Sequence, residues 1–204
     1  MGVTRVGDRH GLPDGSVVEV LDASDAAQAK RFLSAVASEQ GWCPPDGALG
    51  AFAQHSAYFV HSVDGAVQGA AKLVRGNQAD GLPILEVWPE LQLIGRVEIA
   101  ELSVLALARK SRGSESSFLP LAAEVWRYCY RRGIIDLWAE LEPRLVAVYG
   151  RFGWPFEPAG ELREYWGDLL YPCRMSLAGA GASFIDHAVG SDRYAAAVEQ
   201  ALRE

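Results

Sequence analysis

Two carboxylates and a basic, glycine-containing turn are the groups in this sequence best placed to do chemistry. Glu98 and Glu101 interrupt residues 97–107, an apolar run in which Val97, Ile99, Leu102, Val104 and Leu107 supply the β-branched and aliphatic body of a strand. Carboxylates inside a strand that otherwise reads as core are costly unless they have a task or a partner. The run leads through Arg109, Lys110 and Arg112 to Gly113, and Ser114, Glu115 and Ser116 then offer N-cap chemistry for a helix. A strand that passes through basic residues and glycine into a helix N-terminus outlines a phosphate cradle, because free backbone N–H groups and the helix dipole both favour an anion there. The competing reading of the turn is an ordinary solvated loop.

The elements that must position these groups follow from periodicity. Residues 1–15 read as a flexible arm and 16–21 as a short strand. A helix over 25–39 carries Ala27, Phe32, Leu33 and Val36 on one stripe. Residues 40–53 form a loop holding Trp42. Two alternating runs, 57–63 and 66–75, flank Asp64-Gly65, a strong hairpin signal. The long connection 76–95 has an apolar middle and is expected to cover a pocket. The helix after the turn spans 117–132, with Leu119, Ala122, Ala123, Trp126 and Tyr130 at helical spacing and Gly133 as its stop. A buried strand at 134–141 and a helix from Pro143 to Gly153 come next. Short and long strands at 154–159 and 165–177 follow, then a flexible joint at 179–182 and a surface or frayed helix from 192 to 203. The predicted class is α/β (α+β): a mixed, mostly antiparallel twisted sheet with helices on both faces. One domain covers 16–177, with 178–204 as linker and terminal helix.

Composition sets further bounds. Half of the 204 residues are hydrophobic and 22% are charged, which places the chain among globular proteins rather than disordered ones. No apolar run reaches the length of a membrane span, and the polar N-terminus predicts no secretory signal. Cys43, Cys129 and Cys173 are odd in number and far apart, as expected of reduced thiols in a cytoplasm. The histidines lack metal-binding spacing, so no metal is expected. A net charge of -7 argues against nucleic acid as a general partner. Arg109, Lys110, Arg112, Arg127, Arg131 and Arg132 nevertheless gather in one stretch, which suits an anionic ligand or a small acidic partner, or else a solvated helix face.

This order of elements resembles the GNAT superfamily of acyltransferases, in which the fourth strand leads into a pyrophosphate-binding turn, Gln/Arg-x-x-Gly-x-Gly/Ala, and a helix. Lys110-Ser111-Arg112-Gly113-Ser114-Glu115 keeps a basic residue and the first glycine but lacks the last small residue. Tyr149-Gly150-Arg151-Phe152-Gly153-Trp154 is similar to the superfamily's Tyr-x-x-x-Gly-Phe motif, with Trp for Phe. Residues 98–104 resemble the Glu-x-Ser-Arg-Leu signature of the autoinducer synthases and the long-chain N-acyl amino acid synthases. Glu98 takes the place of the Glu, Ala100 that of the Ser and Glu101 that of the Arg. The tail, residues 153–177, is similar to the ending of the N-acyl amino acid synthases.

The resemblance implies transfer of a fatty acyl group from the thioester of acyl-CoA or acyl carrier protein to the amine of an amino acid or similar small molecule. A protonated amine is not a nucleophile, so a carboxylate must take its proton: Glu98 is the first choice and Glu101 the second. Side chains three apart on a strand point to opposite faces, so only one of them should face the site unless a bulge intervenes. Backbone N–H groups of the Leu105–Leu107 segment would polarise the thioester, and Arg109, Lys110, Arg112, Gly113 and Ser114 would hold the pantetheine phosphate. Tyr149 would protonate the departing thiolate. Its phenol, with a pKa near 10, matches a thiolate of about 8–9. Trp42, Trp88, Phe118, Trp126 and Trp138 are candidates to line the substrate tunnel, or are ordinary core. Arg127, Arg131 and Arg132 form the face that an acidic carrier protein would use. The alternatives are a homoserine lactone synthase, an acetyl-CoA-dependent acetyltransferase, and a non-catalytic GNAT-fold protein that binds acyl ligands.

Overall fold

Alternating apolar runs joined by tight turns build the first half of the sheet. The computed structural model describes residues 2–5, 16–44 and 47–202. Strands β1 (Gly2–Arg5), β2 (Ser16–Asp22), β3 (Ser56–Val63), β4 (Ala66–Arg75) and β5 (Ile99–Leu107) pair in sequence order, all antiparallel. Asp64 and Gly65 both adopt positive φ (50° and 77°) to close the predicted β3–β4 hairpin. The chain then crosses through helix α2 (Glu115–Arg131) to β6 (Asp136–Leu141), which lies parallel to β5. Helix α3 (Pro143–Arg151) leads to β7 (Glu157–Pro158), β8 (Arg163–Tyr165) and β9 (Asp168–Ser176), and β9 pairs antiparallel with β6. The strand order is β1-β2-β3-β4-β5-β6-β9-β7, with β8 also on β9.

Helix α1 (Ala27–Gln40) covers one face of this sheet. Helices α2, α4 (Leu177–Ala188) and α5 (Asp192–Leu202) cover the other. The α2 stripe of Leu119, Ala122 and Ala123 buries against Phe59, Leu73, Leu102 and Leu137 in the largest core cluster. The face under α1 carries two smaller clusters. One is built on Leu33, Tyr58 and Val104, the other on Ile84, Trp88, Ile99 and Trp138.

The mixed, mostly antiparallel sheet with helices on both faces is the predicted class, and several boundaries differ from the sequence reading. Residues 2–5 of the expected arm form strand β1, because their backbone groups pair with β2; residue 1 and residues 6–15 lie outside the described residues. The expected joint at 179–182 is the body of α4, whose N-cap Ser176 side chain accepts from the Gly179 N–H. The C-terminal helix is packed rather than frayed: Tyr194, Ala197 and Gln200 are buried, and Gln200 donates to the Pro120 carbonyl on α2. The last strand is split by Trp166 and Gly167 at positive φ (55° and 90°), which turn β8 into β9. The connection 76–95 folds into short 3-10 turns over Pro83–Glu86 and Pro89–Leu91 that bury Leu82, Ile84 and Trp88 beside β5.

Candidate active site

Strands β5 and β6 pair only over Ile99–Glu101 and Asp136–Trp138 and then part. A bulge in β5 accompanies the parting. Leu73 of β4 faces Leu102 and Lys72 faces Val104, so Ser103 is the extra residue. The opening is a cleft of about 100 Å³, apolar along Leu102, Leu105, Ala139, Leu141 and Leu145. It continues outward into a groove of about 300 Å³ that reaches Arg112, Gly113 and Phe118, with Trp42, Leu105, Leu145 and Tyr149 common to both. Inward, Ser103, Val104, Glu140, Tyr165 and Trp166 are shared with a pocket of about 150 Å³. Through these shared residues the three spaces adjoin in series, from Arg112 and Gly113 to a polar chamber between the strands.

The chamber is charged. Lys72 on β4 is buried and donates to the carbonyls of Ala48 and Ala51, both at 2.9 Å. Burial lowers its ammonium to about 8, against the opposing charge of Glu101. Glu101 is fully buried. One of its oxygens accepts from the Ile84 N–H at 2.7 Å and the other from the Ser103 hydroxyl at 2.5 Å. Burial pushes its carboxyl up to about 7, although both hydrogen bonds and Lys72 act to lower it. Glu140 on β6 is raised well above the carboxylate range by enclosure and then by the charge of Glu101. Among the described residues, no group of histidine, cysteine and acidic side chains is arranged to hold a metal ion.

Toward the mouth, Tyr149 of α3 packs edge-on against Phe118 (5.6 Å) and stacks on Trp154 (6.1 Å), and burial pushes its phenol well above 10, a poorer match to a departing thiolate than the ordinary phenol expected from the sequence. The Ala108 N–H donates to Gln68 on β4 at 2.8 Å. Amides alternate in direction along a strand, so those of Leu105 and Leu107 face the β6 side, where no strand pairs with them. Beyond β5, Arg109–Ser111 form a 3-10 turn and Gly113 adopts φ 75°. Helix α2 begins at Glu115, two residues earlier than predicted, and its N-cap Ser114 side chain caps no amide. Arg109 and Lys110 are exposed, whereas Arg112 is engaged with Glu39 at 3.0 and 3.2 Å and with the Leu107 carbonyl.

The structure brings Glu101, Tyr149, Leu105, Leu107, Arg112, Gly113, Phe118 and Trp42 to this channel. Glu98 is the correction. It precedes β5, is partly exposed, and is paired with Arg96; its own amide and that arginine hold its carboxyl below the ordinary value. Of the two glutamates, Glu101 lines the chamber and Glu98 does not. Three tryptophans are structural. Trp88 is buried and donates to Glu161, Trp138 packs beside it in the core, and Trp126 stacks on Tyr130 and donates to Leu177. Arg127, Arg131 and Arg132 lie at the far end of α2, about 20 Å along the helix from the turn. They line a separate cavity with Asp22 and Arg75, where Arg127 pairs with Glu124 and Arg132 stacks on Tyr128.

Lys72, Ser103 and Glu140 also line the chamber, and the sequence reading does not single them out. A signal for Ser103 was present. Set three residues later, Glu101-Leu102-Ser103-Val104-Leu105 matches the Glu-x-Ser-Arg-Leu signature in Glu, Ser and Leu, with Val104 replacing the Arg. The Ser103–Glu101 hydrogen bond shows why those two residue types occur two apart. Lys72 and Glu140 sit on other strands, and no local pattern marks them.

A sheet split after its fourth long strand, with a glycine turn and helix N-terminus at the mouth, defines an acyltransferase of GNAT type. The family model of N-acyl amino acid synthase FeeM matches residues 28–167, and the chain belongs to that family. The enzyme is an N-acyltransferase that moves an acyl group to an amine. Among solved structures it is similar to FeeM, an N-acyl amino acid synthase from uncultured soil microbes, with 19% identity, TM-score 0.67, and 82% of this chain and 94% of that one covered. It is also similar to BjaI, a CoA-dependent acyl-homoserine lactone synthase, at 17% identity and TM-score 0.65, with 90% and 99% covered. An IAA acetyltransferase from Bacillus cereus aligns at 15% identity and TM-score 0.53, over 79% and 99%. No curated protein matches the chain in sequence. Among the described residues, no helix is long and apolar enough to cross a membrane.

Proposed function

We propose that this enzyme transfers a fatty acyl group from a pantetheine thioester to the amine of an amino acid or a similar small amine. The observation that carries the reading is the β5–β6 split, an apolar cleft that opens inward onto a chamber containing Glu101, Glu140 and Lys72. The thioester enters along the outer groove, with its phosphate at Arg109, Lys110 and the amides of Gly113 and Ser114. Arg112 is engaged by Glu39, which leaves the exposed Arg109 and Lys110 to meet the phosphate. The amides of Leu105 and Leu107 polarise the thioester carbonyl, and the apolar cleft wall takes the chain. The amine waits in the chamber, where the carboxylate of Glu101 draws in its positive charge and the Lys72 ammonium suits an acceptor carboxylate. Tyr149, protonated across the working pH range, donates to the departing thiolate.

CoA and a carrier protein present the same phosphopantetheine arm, so this chemistry serves either donor. The cleft-mouth cations Arg109 and Lys110 suit a carrier protein's acidic surface better than Arg127, Arg131 and Arg132, which stand a helix length away. Mass spectrometry of lipid extracts from a bacterial host expressing the wild type, Glu98→Gln or Glu101→Gln tests the reading. Acylated amino acids should appear with the wild type, persist with Glu98→Gln and fall about 10- to 100-fold with Glu101→Gln. A lactone as the sole product would move the reading to the synthases of which BjaI is one, and product abolished by Glu98→Gln would overturn the assignment of the carboxylate.

A further inference from the structure

We infer that Glu140 is the carboxylate that touches the attacking amine and takes its proton, with Glu101 and Lys72 beneath it as positioning residues. The inference rests on the acyl-transfer reading above and assigns the step at the heart of it to a residue on β6 rather than to the β5 motif.

Place is the first argument. The reacting carbon must sit where the thioester cleft meets the inner chamber. Among the described residues, Glu140 is the one acidic side chain that lines both. Glu101 lines the chamber alone, and Glu142 and Asp168 line the cleft and its outer groove. Glu140 stands two residues beyond Trp138, the β6 partner of Glu101. Alternation therefore sets it on the chamber side of β6, just past the last paired residue.

Availability is the second. Both oxygens of Glu101 are committed, to the Ile84 amide and the Ser103 hydroxyl, and Lys72 is tied to two loop carbonyls. Glu140 accepts no hydrogen bond from another residue among those described; its own backbone amide is its near donor. A fixed carboxylate can orient and attract, whereas the uncommitted one can follow the nitrogen as it attacks.

The charged and titratable groups facing Glu140 are Glu101 from β5, Glu86 from the overlying turn, Lys72 from β4, Tyr165 from β8 and Cys173 from β9. In the empty chamber the two glutamates repel, which favours a proton on Glu140. An arriving ammonium reverses this, so Glu140 ionises as the cation enters and is then adjacent to the proton it must remove. The ammonium gives one N–H proton to Glu140, and the freed lone pair forms the C–N bond. As the tetrahedral intermediate collapses the C–S bond breaks, with its electron pair leaving on sulfur. The second N–H proton goes to the solvent side while Tyr149 protonates the thiolate and is itself reprotonated. The proton that Glu140 gives up as the ammonium enters is replaced by the one it takes from nitrogen, so Glu140 is again protonated when the amide departs, and the sum is ammonium plus thioester to amide, thiol and one proton.

The test compares the full chain as wild type, Glu140→Gln, Glu140→Asp and Glu101→Gln. Each is given acyl-CoA and acyl-carrier-protein thioesters from acetyl to palmitoyl with a mixture of amino acids, and thiol release and amide formation are followed across pH. Glu140→Gln should lower kcat about 100- to 1,000-fold near neutral pH with KM for the thioester unchanged. The deficit should close as pH rises past the pKa of the acceptor amine, and with hydroxylamine, which arrives already neutral. Glu140→Asp should recover part of the rate, and Glu101→Gln should raise the acceptor KM more than it lowers kcat. Glu140→Gln should melt no lower than wild type, because it removes a repelled carboxylate and no hydrogen bond to another residue. Wild-type activity in Glu140→Gln overturns the inference, and so does a loss of equal size at every pH and with every acceptor. If the wild type forms no amide with any thioester, the acyl-transfer reading fails and the inference falls with it.

Discussion

The two faces of the sheet are built on different terms. Under α2, α4 and α5 the core is one continuous cluster, closed by Phe118, Tyr149, Trp154 and Phe156 packed edge to face. Under α1 the apolar surface is divided in two, and Lys72 and Glu101 occupy the space between the parts. The packed face supplies the stability that lets the other hold buried charge. The split face bears a cost for groups that can bind and move protons.

Emptying the packed face should have the largest effect. Trp154 is fully buried among Phe118, Tyr149 and Phe156, so Trp154→Ala should cost about 3–5 kcal/mol of stability by denaturant titration. A cost near zero would mean that this face does not carry the fold. Tyr149 belongs to both regions, packing into the aromatic cluster while lining the cleft. Tyr149→Phe keeps the packing and removes the donor. The melting temperature should hold, and kcat should fall about 10- to 100-fold, limited because a thiolate leaves without much help.

The smallest effect sharpens the comparison on the charged face. Glu101 binds its proton up to about pH 7 in the folded chain but only to about 4.5 when unfolded. Between those values the unfolded state ionises first, so the contribution of Glu101 makes stability fall as pH rises. Lys72 acts in the opposite sense, since its folded ammonium titrates near 8 against an ordinary 10.5, and stability recovers as pH rises through that window. Melting curves of wild type and Glu101→Gln should therefore diverge by a few degrees between about pH 4.5 and 7, with the variant the more stable at the upper end. Parallel curves would show that Glu101 carries no unusual proton affinity.

How far the sequence reached differs between these faces. The hairpin at Asp64-Gly65, the α2 stripe and its Gly133 stop, and the strand–turn–helix of β5, Arg109–Ser111 and α2 are local patterns, and each is found near where periodicity placed it. The two glutamates of β5 were equally visible, yet the motif was set three residues early. With Glu98 in the place of the signature's Glu, Ala100 and Glu101 are departures, whereas with Glu101 there Ser103 matches the signature's Ser. Tryptophans named as tunnel candidates divided by burial partner: Trp42 lines the cleft, while Trp88, Trp126 and Trp138 are held in packing or by backbone carbonyls.

The sequence by itself determined the elements, their order, and the presence of a basic turn beside an acidic strand. Hydrophobic period, turn residues and caps act within a few positions of one another, and a single chain displays them directly. Only the tertiary structure decided which β5-region carboxylate lines the chamber, that Lys72 lines it too, and that Glu140 stands at the junction. These residues belong to three strands, β4, β5 and β6, and meet because β5 and β6 stop pairing after Glu101 and Trp138. That parting coincides with the bulge of β5 against β4, between strands joined through the crossover helix α2. It is a property of how strands far apart in sequence are laid side by side, and no local pattern encodes it.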